Sequence, residues 1–313
     1  MDRRVALLAL AVLAVSALYL GWGLGPKWAF VLKLRAGKLA GLLIVGAAVG
    51  LATVLFQTVS RNRILTPQIM GFDALYILMQ TLLVATLGVA GFAGLPAPAK
   101  FGLEVAIMVA AALALFGTLL GRAAQDIPRL ILTGVILGVL FRSAAGFLAR
   151  VMDPNDYAIV QAASFASFSR IDTALLPLAG ALCAAAAAAA LWLAPRLDVL
   201  ALGRPIAVSL GLAHDRLVLG VLALVTVLVA ISTALVGPVA FFGLIVAGLA
   251  WELSGTARHA RVLPLAMLIG ALVLVAGQTV FERFMGQQSV LAVVIEFAGG
   301  LMFLWLLLKG RAR

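Results

Sequence analysis

Long apolar runs alternate with short polar interruptions along the whole chain. Ten runs stand out, at residues 5–24, 39–59, 71–94, 101–121, 129–149, 174–194, 217–236, 239–253, 262–281 and 290–308. All but one are about 18 residues or longer, which is enough for a helix to cross the hydrocarbon core of a bilayer. The pattern predicts an all-α polytopic membrane protein with about ten transmembrane helices, in a single transmembrane domain over residues 1–313.

The composition supports this class. The 313 residues are 65% hydrophobic and 11% charged, with a mean hydropathy of +1.19, whereas roughly a quarter of the residues in a soluble domain are charged. The net charge is +11, but most Lys and Arg residues lie at the ends of apolar runs. There they orient helices and meet anionic lipid headgroups, so we expect no nucleic-acid partner.

The basic residues also predict an orientation. Because the number of runs is even, both termini should lie on one side of the membrane. Fourteen of the 23 Lys and Arg residues fall on that side, and nine fall on the other side or inside helices. Cytoplasmic loops are rich in Lys and Arg, so we expect cytoplasmic termini. Residues 26–38 are an exception, with four basic residues on the opposite side, which indicates a wrong helix count or a functional basic patch.

Two polar segments differ from simple loops. Residues 151–173 are mixed and amphipathic, and long enough for a short surface helix on the external side. The run at 239–253 is short and directly follows Gly237 and Pro238, which predicts a re-entrant turn or a broken helix. Small residues four apart allow helices to approach closely, and they occur at Gly46/Gly50, Gly117/Gly121 and Gly134/Gly138.

The chain carries no recognisable catalytic motif. A phosphate-binding loop would need glycine where Pro26 stands, and neither H-E-x-x-H nor G-x-S-x-G occurs. Both histidines, His214 and His259, fall in predicted cytoplasmic loops, and the single Cys183 excludes an intrachain disulfide and a cysteine-based metal site. We therefore expect no enzyme, no metal site and no directly bound cofactor.

Four ionisable residues lie at membrane depth, namely Asp73, Glu104, Arg142 and Glu296. Such residues usually face the interior of a helix bundle or a water-filled cavity. Glu296 is the best candidate for a functional buried carboxylate, although a structural pair with Arg142 is equally compatible with the sequence. A proton-coupled secondary transporter would need carboxylates of this kind, and it is the alternative function that these residues leave open.

The stretch QTVSRNRILTPQIMG resembles a motif of the iron-siderophore and cobalamin permeases of bacterial ABC importers. In that family it ends the second helix and starts the third, with the pattern Q-x-x-x-R-N-P-L-A-x-P-x-x-L-G. Arg63 replaces the usual proline and Met70 a leucine. The matching residues are Gln57, Arg61, Asn62, Pro67 and Gly71.

Two further stretches resemble motifs of the same family. LVGPVAFFGLIVAGLA is similar to A-G-P-I-G-F-V-G-L-V-V-P-H, with Ala247 and Gly248 in place of the final Pro-His. ALGRPIAVSLGLAHDRLV contains a pattern similar to G-x-x-x-A-x-S-L-G. The matching residues are Gly237, Pro238, Phe241, Gly243 and Leu244 in the first, and Gly203, Ala207, Ser209, Leu210 and Gly211 in the second.

The resemblance implies that the third motif couples the protein to an ATPase. In the family, the loop between the sixth and seventh helices forms short helices that lie on the ATP-binding subunit. Pro205 can start such a helix because its missing N–H costs nothing in a first turn. The alternative is an amphipathic segment on lipid headgroups. The residues of the expected coupling loop are Gly203, Arg204, Pro205, Ile206, Ala207, Ser209, Leu210, Gly211 and Leu212.

The same resemblance accounts for the basic segment before the second run. RAGKLAGLLIVGAAVG is similar to the family's basic pair followed by an apolar run and V-G-A-A, with Arg35 and Lys38 at the basic positions. These residues, and Arg283 in the last external loop, are expected to receive acidic side chains of a periplasmic or lipid-anchored solute-binding protein. Contact with lipid headgroups is the alternative.

As a whole, the resemblance implies one permease subunit of an ABC importer for a ferric siderophore, in the bacterial cytoplasmic (inner) membrane. The pathway would lie between this chain and a second permease chain, identical or different, and ATP would be bound by two copies of a separate ATP-binding subunit. Gln57 and Asn62 could instead cap and join helices. The candidates for pathway and gate are Gln57, Asn62, Pro67, Gly71, Gly237, Pro238, Phe241 and Glu296.

Overall fold

The computed structural model describes residues 3–123, 127–168, 171–284 and 291–310, and within these ranges the chain contains helices and no strand. The α-helices are α1 (Arg3–Gly21), α2 (Trp28–Ser60), α3 (Phe72–Gly94), α4 (Ala97–Ala123), α5 (Ile127–Val151), α6 (Pro154–Ala163), α7 (Leu176–Leu200), α8 (Arg204–Ser209), α9 (His214–Val236), α10 (Phe242–Ser254), α11 (His259–Phe284) and α12 (Leu291–Gly310). Two short 3-10 helices lie at Pro67–Met70 and Thr173–Leu175.

Each of the ten apolar runs contains a helix, while α6 and α8 form within polar interruptions. Over the described residues, eight helices are long and apolar enough to cross a membrane. Two further apolar helical stretches, α10 and the Leu291–Trp305 part of α12, are shorter than 18 residues. The all-α membrane architecture is confirmed, and the count of ten crossings stays a prediction.

Helix α2 is the central helix of the bundle. Its 33 residues span about 50 Å at 1.5 Å per residue, and it packs against α7, α9, α10 and α11. Glycines allow its closest contact, because a Cβ on Gly46 would lie 2.5 Å from the carbonyl carbon of Gly270 and a Cβ on Gly50 would lie 2.5 Å from the Ala266 carbonyl oxygen. The predicted close approach at Gly46 and Gly50 is confirmed.

The chain turns back into the bundle between α2 and α3. Arg61 ends α2 in the left-handed conformation, with φ of 51°. The Pro67–Met70 turn then leads to Gly71, whose φ of 84° suits glycine. A Cβ on Gly71 would lie 2.5 Å from the Cα of Gly138 in α5. Close approach is therefore confirmed at Gly134 and Gly138 too, whereas Gly117 and Gly121 lie in a part of α4 whose packing is outside the described residues.

The bundle has two ends, which we name the α8 end and the α6 end after the short helix at each. Helix α7 runs from the α6 end to the α8 end, and α9 returns. Helix α1 starts at the α8 end, where the Arg4 guanidinium donates to the Leu253 carbonyl at 2.6 Å. Helix α12 runs toward the same end, with Gly299 against Phe241 and Met302 against Gly248. Both ends of the described chain therefore point to the α8 end.

Three expectations about loops were wrong. Arg35 and Lys38 lie inside α2, because that helix starts at Trp28 rather than at residue 39. Arg283 lies in the last turn of α11 rather than in a loop. His214 and His259 are the first residues of α9 and α11, and both are buried. In each case polar residues continue a helix beyond its apolar run, because backbone hydrogen bonding does not end where the apolar segment ends.

Candidate functional site

Local backbone chemistry explains why α8 forms. Gly203 precedes the helix with φ of 96° and ψ of 162°, and Pro205 stands in the first turn. The Ser209 hydroxyl donates to the Ile206 carbonyl at 2.8 Å. Gly211, with φ of 80°, then turns the chain, and the Leu212 N–H donates back to the Ala207 carbonyl at 2.9 Å. The predicted short helix in this loop is confirmed.

Helix α8 exposes an apolar surface at the end of the bundle. Ala207 is buried against the bundle, whereas Ile206, Val208 and Leu210 are 48%, 53% and 63% exposed. The helix lies between two candidate spans, Thr173–Leu200 and His214–Val236, and outside both. Exposed apolar patches of this kind mark contacts with proteins or membranes.

The rest of the predicted coupling loop divides between this surface and the core. Leu212 is half-buried and packs against the core. Val208 was missed by the motif comparison, although its exposed position follows from its place one residue beyond the buried Ala207. Arg204 forms an ion pair with Asp215 at the start of α9, with Nη2 3.2 Å from Oδ2.

A polar cluster around the buried His259 joins four helices beneath α8. The Asp198 carboxylate near the end of α7 accepts from the backbone N–H of His259 at 2.7 Å, and lies 2.6 Å from His259 Nδ1. On the other side of the imidazole, Nε2 lies 2.7 Å from the Thr58 hydroxyl of α2. The Trp251 ring of α10 meets the imidazole edge-on at 5.6 Å. Sequence reasoning missed this cluster, since its members lie up to 201 residues apart.

Gln57 belongs to the same region. Its side-chain amide donates to the Arg63 carbonyl at 2.6 Å, and its oxygen accepts from the Trp251 indole at 2.9 Å. The Arg63 guanidinium lies 4.6 Å from the centre of the Trp251 ring. Asn62 is exposed, and its side-chain oxygen accepts from the Ile64 N–H at 2.9 Å. Both side chains thus join or cap local elements, the alternative that the sequence left open.

At the α6 end, the structure brings together the three basic residues expected to dock a binding protein. The Arg35 guanidinium donates to the carbonyls of Leu20 and Trp22 at 3.0 and 2.7 Å, and Arg283 donates to the Trp22 carbonyl as well. A positive charge beside the last carbonyls of a helix stabilises that end. Arg35 and Arg283 therefore hold the end of α1.

Lys38 has a partner that the sequence did not suggest. Its ammonium lies 3.3 Å from the Glu282 carboxylate, which also accepts from Tyr19 at 3.3 Å and from Gln278 at 2.9 Å. Arg35, Lys38 and Arg283 are half-buried. The external basic patch of the sequence is thus a partly neutralised cluster that joins α1, α2 and α11.

The break between α9 and α10 also lies at the α6 end. Gly237 adopts φ of 92° and packs against Ala166, and the Ser167 N–H donates to the Val236 carbonyl at 2.7 Å. The predicted interruption at Gly237 and Pro238 is confirmed, and it contacts the segment that follows α6. Helix α6 itself, the predicted surface helix, starts at Pro154 with a side-chain cap from Asp153.

Phe241 and Glu296 connect this break to α12. Phe241 has a left-handed backbone, with φ of 57°, and its ring lies 5.9 Å from that of Phe303. A non-glycine residue in this conformation is strained by roughly 1–2 kcal/mol. The Glu296 carboxylate accepts a hydrogen bond from the backbone N–H of Ala240. The carboxylate thus supports the broken segment.

The pathway and gate candidates therefore form no single pocket within the described part of this chain. Gln57 and Asn62 lie at the α8 end, whereas Gly237 lies at the α6 end. Pro67 and Gly71 lie between them, buried against α5. A pathway that involves all of them has to run along the length of the bundle.

The described residues contain no group of three or more His, Cys, Asp or Glu side chains able to hold a metal ion. Asp198, His259 and Thr58 are arranged in the order of a hydrolase triad, but Thr58 is 5% exposed and its hydroxyl also lies 2.8 Å from the Val54 carbonyl. The nucleophile of such a triad is activated by the adjacent base, whereas the Thr58 hydroxyl donates its proton to the Val54 carbonyl within α2. The cluster joins helices.

These features define a polytopic helical membrane protein with an apolar contact surface at one end and a charged cluster at the other. The chain belongs to the FecCD transport family, which matches residues 6–309. The match confirms the resemblance based on the three motifs, and it assigns the chain to transport rather than to catalysis.

Relatives cover nearly the whole chain. The petrobactin import system permease protein YclO of Bacillus subtilis (strain 168) is 37% identical over 306 residues, which is 98% of this chain and 97% of that protein. The petrobactin import system permease protein FatC of Bacillus anthracis is 32% identical, over 92% of this chain and 81% of that protein. The Fe(3+) dicitrate transport system permease protein FecD of Escherichia coli (strain K12) is 29% identical, over 97% of both chains.

A solved structure has the same fold. An inward-facing metal-chelate type ABC transporter superposes with a TM-score of 0.82, over 98% of this chain and 99% of that one, at 24% sequence identity. The two chains therefore share one fold over nearly their whole length.

Proposed function

We propose that the protein is the permease subunit of an ABC importer for a ferric siderophore. With a second permease chain, it forms the pathway through which the iron chelate crosses the membrane. Two copies of an ATP-binding subunit power the movement, and a periplasmic or lipid-anchored solute-binding protein delivers the chelate. Membership of the FecCD transport family supports this proposal, as does similarity to permeases named for petrobactin and ferric dicitrate.

One structural observation carries the proposal, namely the apolar surface of α8. Ile206 and Val208 on α8, and Leu210 directly after it, are exposed outside the candidate spans. A patch of this kind is unfavourable in water, and a groove on an ATP-binding subunit would cover it. Movement of that subunit would then displace α8, and the Asp198–His259 contact would transmit the displacement to α7 and α11.

The orientation follows from the same assignment. If α8 meets the ATP-binding subunit, the α8 end is cytoplasmic, and so are both termini. This end holds Arg4, Arg61, Arg63 and Arg204 among its basic residues, in agreement with the bias of Lys and Arg toward cytoplasmic loops. Ten crossings of the cytoplasmic membrane then include α10, which has 13 residues, and α12, which has 20.

The α6 end then faces the solute-binding protein. Arg35, Lys38 and Arg283 lie together there, and acidic side chains of the binding protein would approach them. Such pairs at a partly exposed rim mainly increase the rate of encounter and fix the register of docking. Gly237, Pro238 and the segment after α6 would form the external gate beneath this rim.

Uptake of radiolabelled iron tests the proposal. Cells with and without the chain receive iron as ferric siderophores, while ATP synthesis and the proton gradient are abolished separately. We expect uptake that requires both the chain and ATP and that persists without the gradient. Uptake that fails only when the gradient collapses would instead establish a proton-coupled secondary transporter, and Glu296 would then be the residue to test.

A further inference from the structure

Arg142 is an exposed charged residue in the middle of a candidate membrane span. It is the twelfth of the 21 residues in the span Ile131–Val151 of α5. The exposed apolar side chains of Ile136, Leu140 and Phe147 lie on another side of the same helix, about 120–160° around from Arg142. An arginine that faces lipid at this depth is costly, and ionisable residues inside membranes therefore face water-filled cavities or other protein.

No described carboxylate neutralises Arg142 directly. Among the residues that the structure describes, none forms an ion pair with its guanidinium, so the predicted Arg142–Glu296 pair is absent there. Asp73 of α3 lies within electrostatic range of both Arg142 and Glu296. The guanidinium has five N–H donors in a planar fork suited to anionic oxygens.

The surroundings of Arg142 are roomy and partly polar. It lines a cavity of about 360 Å³ together with the polar Gln68 and Ser143 and the apolar Ile69, Val135 and Val139, and Ser143 is also exposed. Gln68 Oε1 and Asp73 Oδ1 are buried and have no hydrogen-bond partner within the described ranges. Polar atoms of this kind are satisfied by water where a cavity has room for it. The α5 surface around Arg142 is thus suited to contact with water rather than with lipid.

We propose that this surface of α5 lines the aqueous transport pathway, and that Arg142 contacts the negatively charged oxygens of an anionic ferric chelate during its passage. The inference rests on the proposed function. Ferric ion wrapped in deprotonated catecholate or carboxylate oxygens carries a net negative charge, and Arg142 offers a matching cation at mid-membrane. Asp73, which lies within electrostatic range of Arg142, limits how tightly an anion is held, which a pathway requires for release.

Cysteine labelling tests the exposure of this surface to water. The chain has one cysteine, and Cys183 is buried, so Cys183→Ala provides a cysteine-free background. Arg142→Cys and Leu140→Cys are compared in the complete transporter, reconstituted in lipid, with a membrane-impermeant sulfonate thiosulfonate as the probe. Leu140 is the control, because it is exposed on the same helix about 160° around from Arg142.

We expect the probe to label Arg142→Cys about tenfold faster than Leu140→Cys, a difference equivalent to about 1.4 kcal/mol. Equal or slower labelling at residue 142 would overturn the proposal. It would indicate that Arg142 meets lipid or a carboxylate of the second permease chain instead.

Uptake measurements test the contact with the chelate. For Arg142→Gln, we expect uptake of a ferric tris-catecholate to fall about tenfold, while ATP hydrolysis stimulated by the binding protein is unchanged. Arg142→Lys, which keeps the charge, should retain most of the uptake. Undiminished uptake by Arg142→Gln would overturn the role of Arg142. If the wild type imports no ferric chelate, the proposed function fails instead, and the labelling result still decides whether the α5 surface lines a pathway.

Discussion

The two candidate contact surfaces, one at each end of the bundle, differ in their chemistry. At the α8 end, polar groups are buried and hydrogen-bonded, as His259 is between Asp198 and Thr58, while apolar side chains of α8 are exposed. At the α6 end, the charged side chains of Lys38 and Glu282 remain half-buried in a mutual ion pair.

This difference suits two different kinds of contact. Exposed apolar side chains on a helix that is packed against the bundle provide a stable contact. Movement of a partner bound there would displace the helix. Half-buried charges that are already paired can exchange one partner for another, because a contact at an exposed rim gains little net energy. The proposed ATP-binding subunit and solute-binding protein need these two kinds of contact respectively, since the first stays bound and the second comes and goes.

We expect the largest effect on stability from a substitution at the contact between α2 and α11, two helices that run between the two ends of the bundle. Gly46→Leu would force a side chain into the backbone of Gly270, since even a Cβ would lie 2.5 Å from its carbonyl carbon. We expect a loss of about 3 kcal/mol of stability, measured by denaturant titration in detergent. Gly220→Leu is the control, because a Cβ there meets no heavy atom within 4 Å. Equal losses in the two variants would contradict the role of this contact.

A carboxylate placed at each end tests the apolar surface of α8. Leu210→Asp should reduce recovery of the ATP-binding subunit with the permease by about a hundredfold, because an unpaired polar group buried at an apolar contact costs about 3 kcal/mol. Leu24→Asp alters an exposed leucine near the α6 end and should leave recovery unchanged. If Leu210→Asp kept the subunit bound, α8 would be a membrane-surface segment instead.

The charged cluster at the α6 end should respond to ionic strength. Lys38→Glu should slow capture of the solute-binding protein about tenfold at low salt, and less at high salt, because screening weakens interactions between exposed charges. Lys33→Glu makes the same change of charge at an exposed position five residues earlier and should have a smaller effect. Rapid-mixing fluorescence measures the capture rate, and equal effects would reduce the cluster to a general contribution of net charge.

The smallest expected effect concerns the buried cluster beneath α8. Thr58→Val removes the hydroxyl beside His259 Nε2 and should lower stability by about 1 kcal/mol. Thr226→Val is the matched control, since that buried hydroxyl donates to Leu222 within its own helix. Identical unfolding midpoints for the two variants would show that the His259 contact contributes nothing to stability.

Much of the fold could be predicted, because a bilayer imposes a strong constraint on sequence. Each apolar run contains a helix, the short helices α6 and α8 form where Pro154 and Pro205 allow them, and the break at Gly237 lies where Gly-Pro stands. Helix limits were less accurate. Residues Lys27–Lys38 carry four positive charges, and α2 nevertheless includes Trp28–Lys38. The helix tolerates these charges because it extends past the hydrocarbon, where charged side chains meet water.

The motifs located the candidate site residues but did not reveal their contacts. Arg35 was chosen for its charge, and the structure adds that it caps α1. Gln57 was a pathway candidate and proved to join α2 to Trp251. Glu282 and Asp198 belong to no motif, because each acts through a partner distant in the chain.

The sequence by itself determined the class of protein and the positions of most helices. It also located the segments that are too polar to be transmembrane helices and the Gly-Pro interruption between α9 and α10. Apolar length and backbone chemistry are local properties, and a single stretch of chain displays them. Only the tertiary structure decided which charges are neutralised, which glycines meet and which apolar side chains stay exposed. Those outcomes depend on residues brought together from distant parts of the chain, as when Arg142 lacks an ion-pair partner among the described residues while Lys38 meets Glu282.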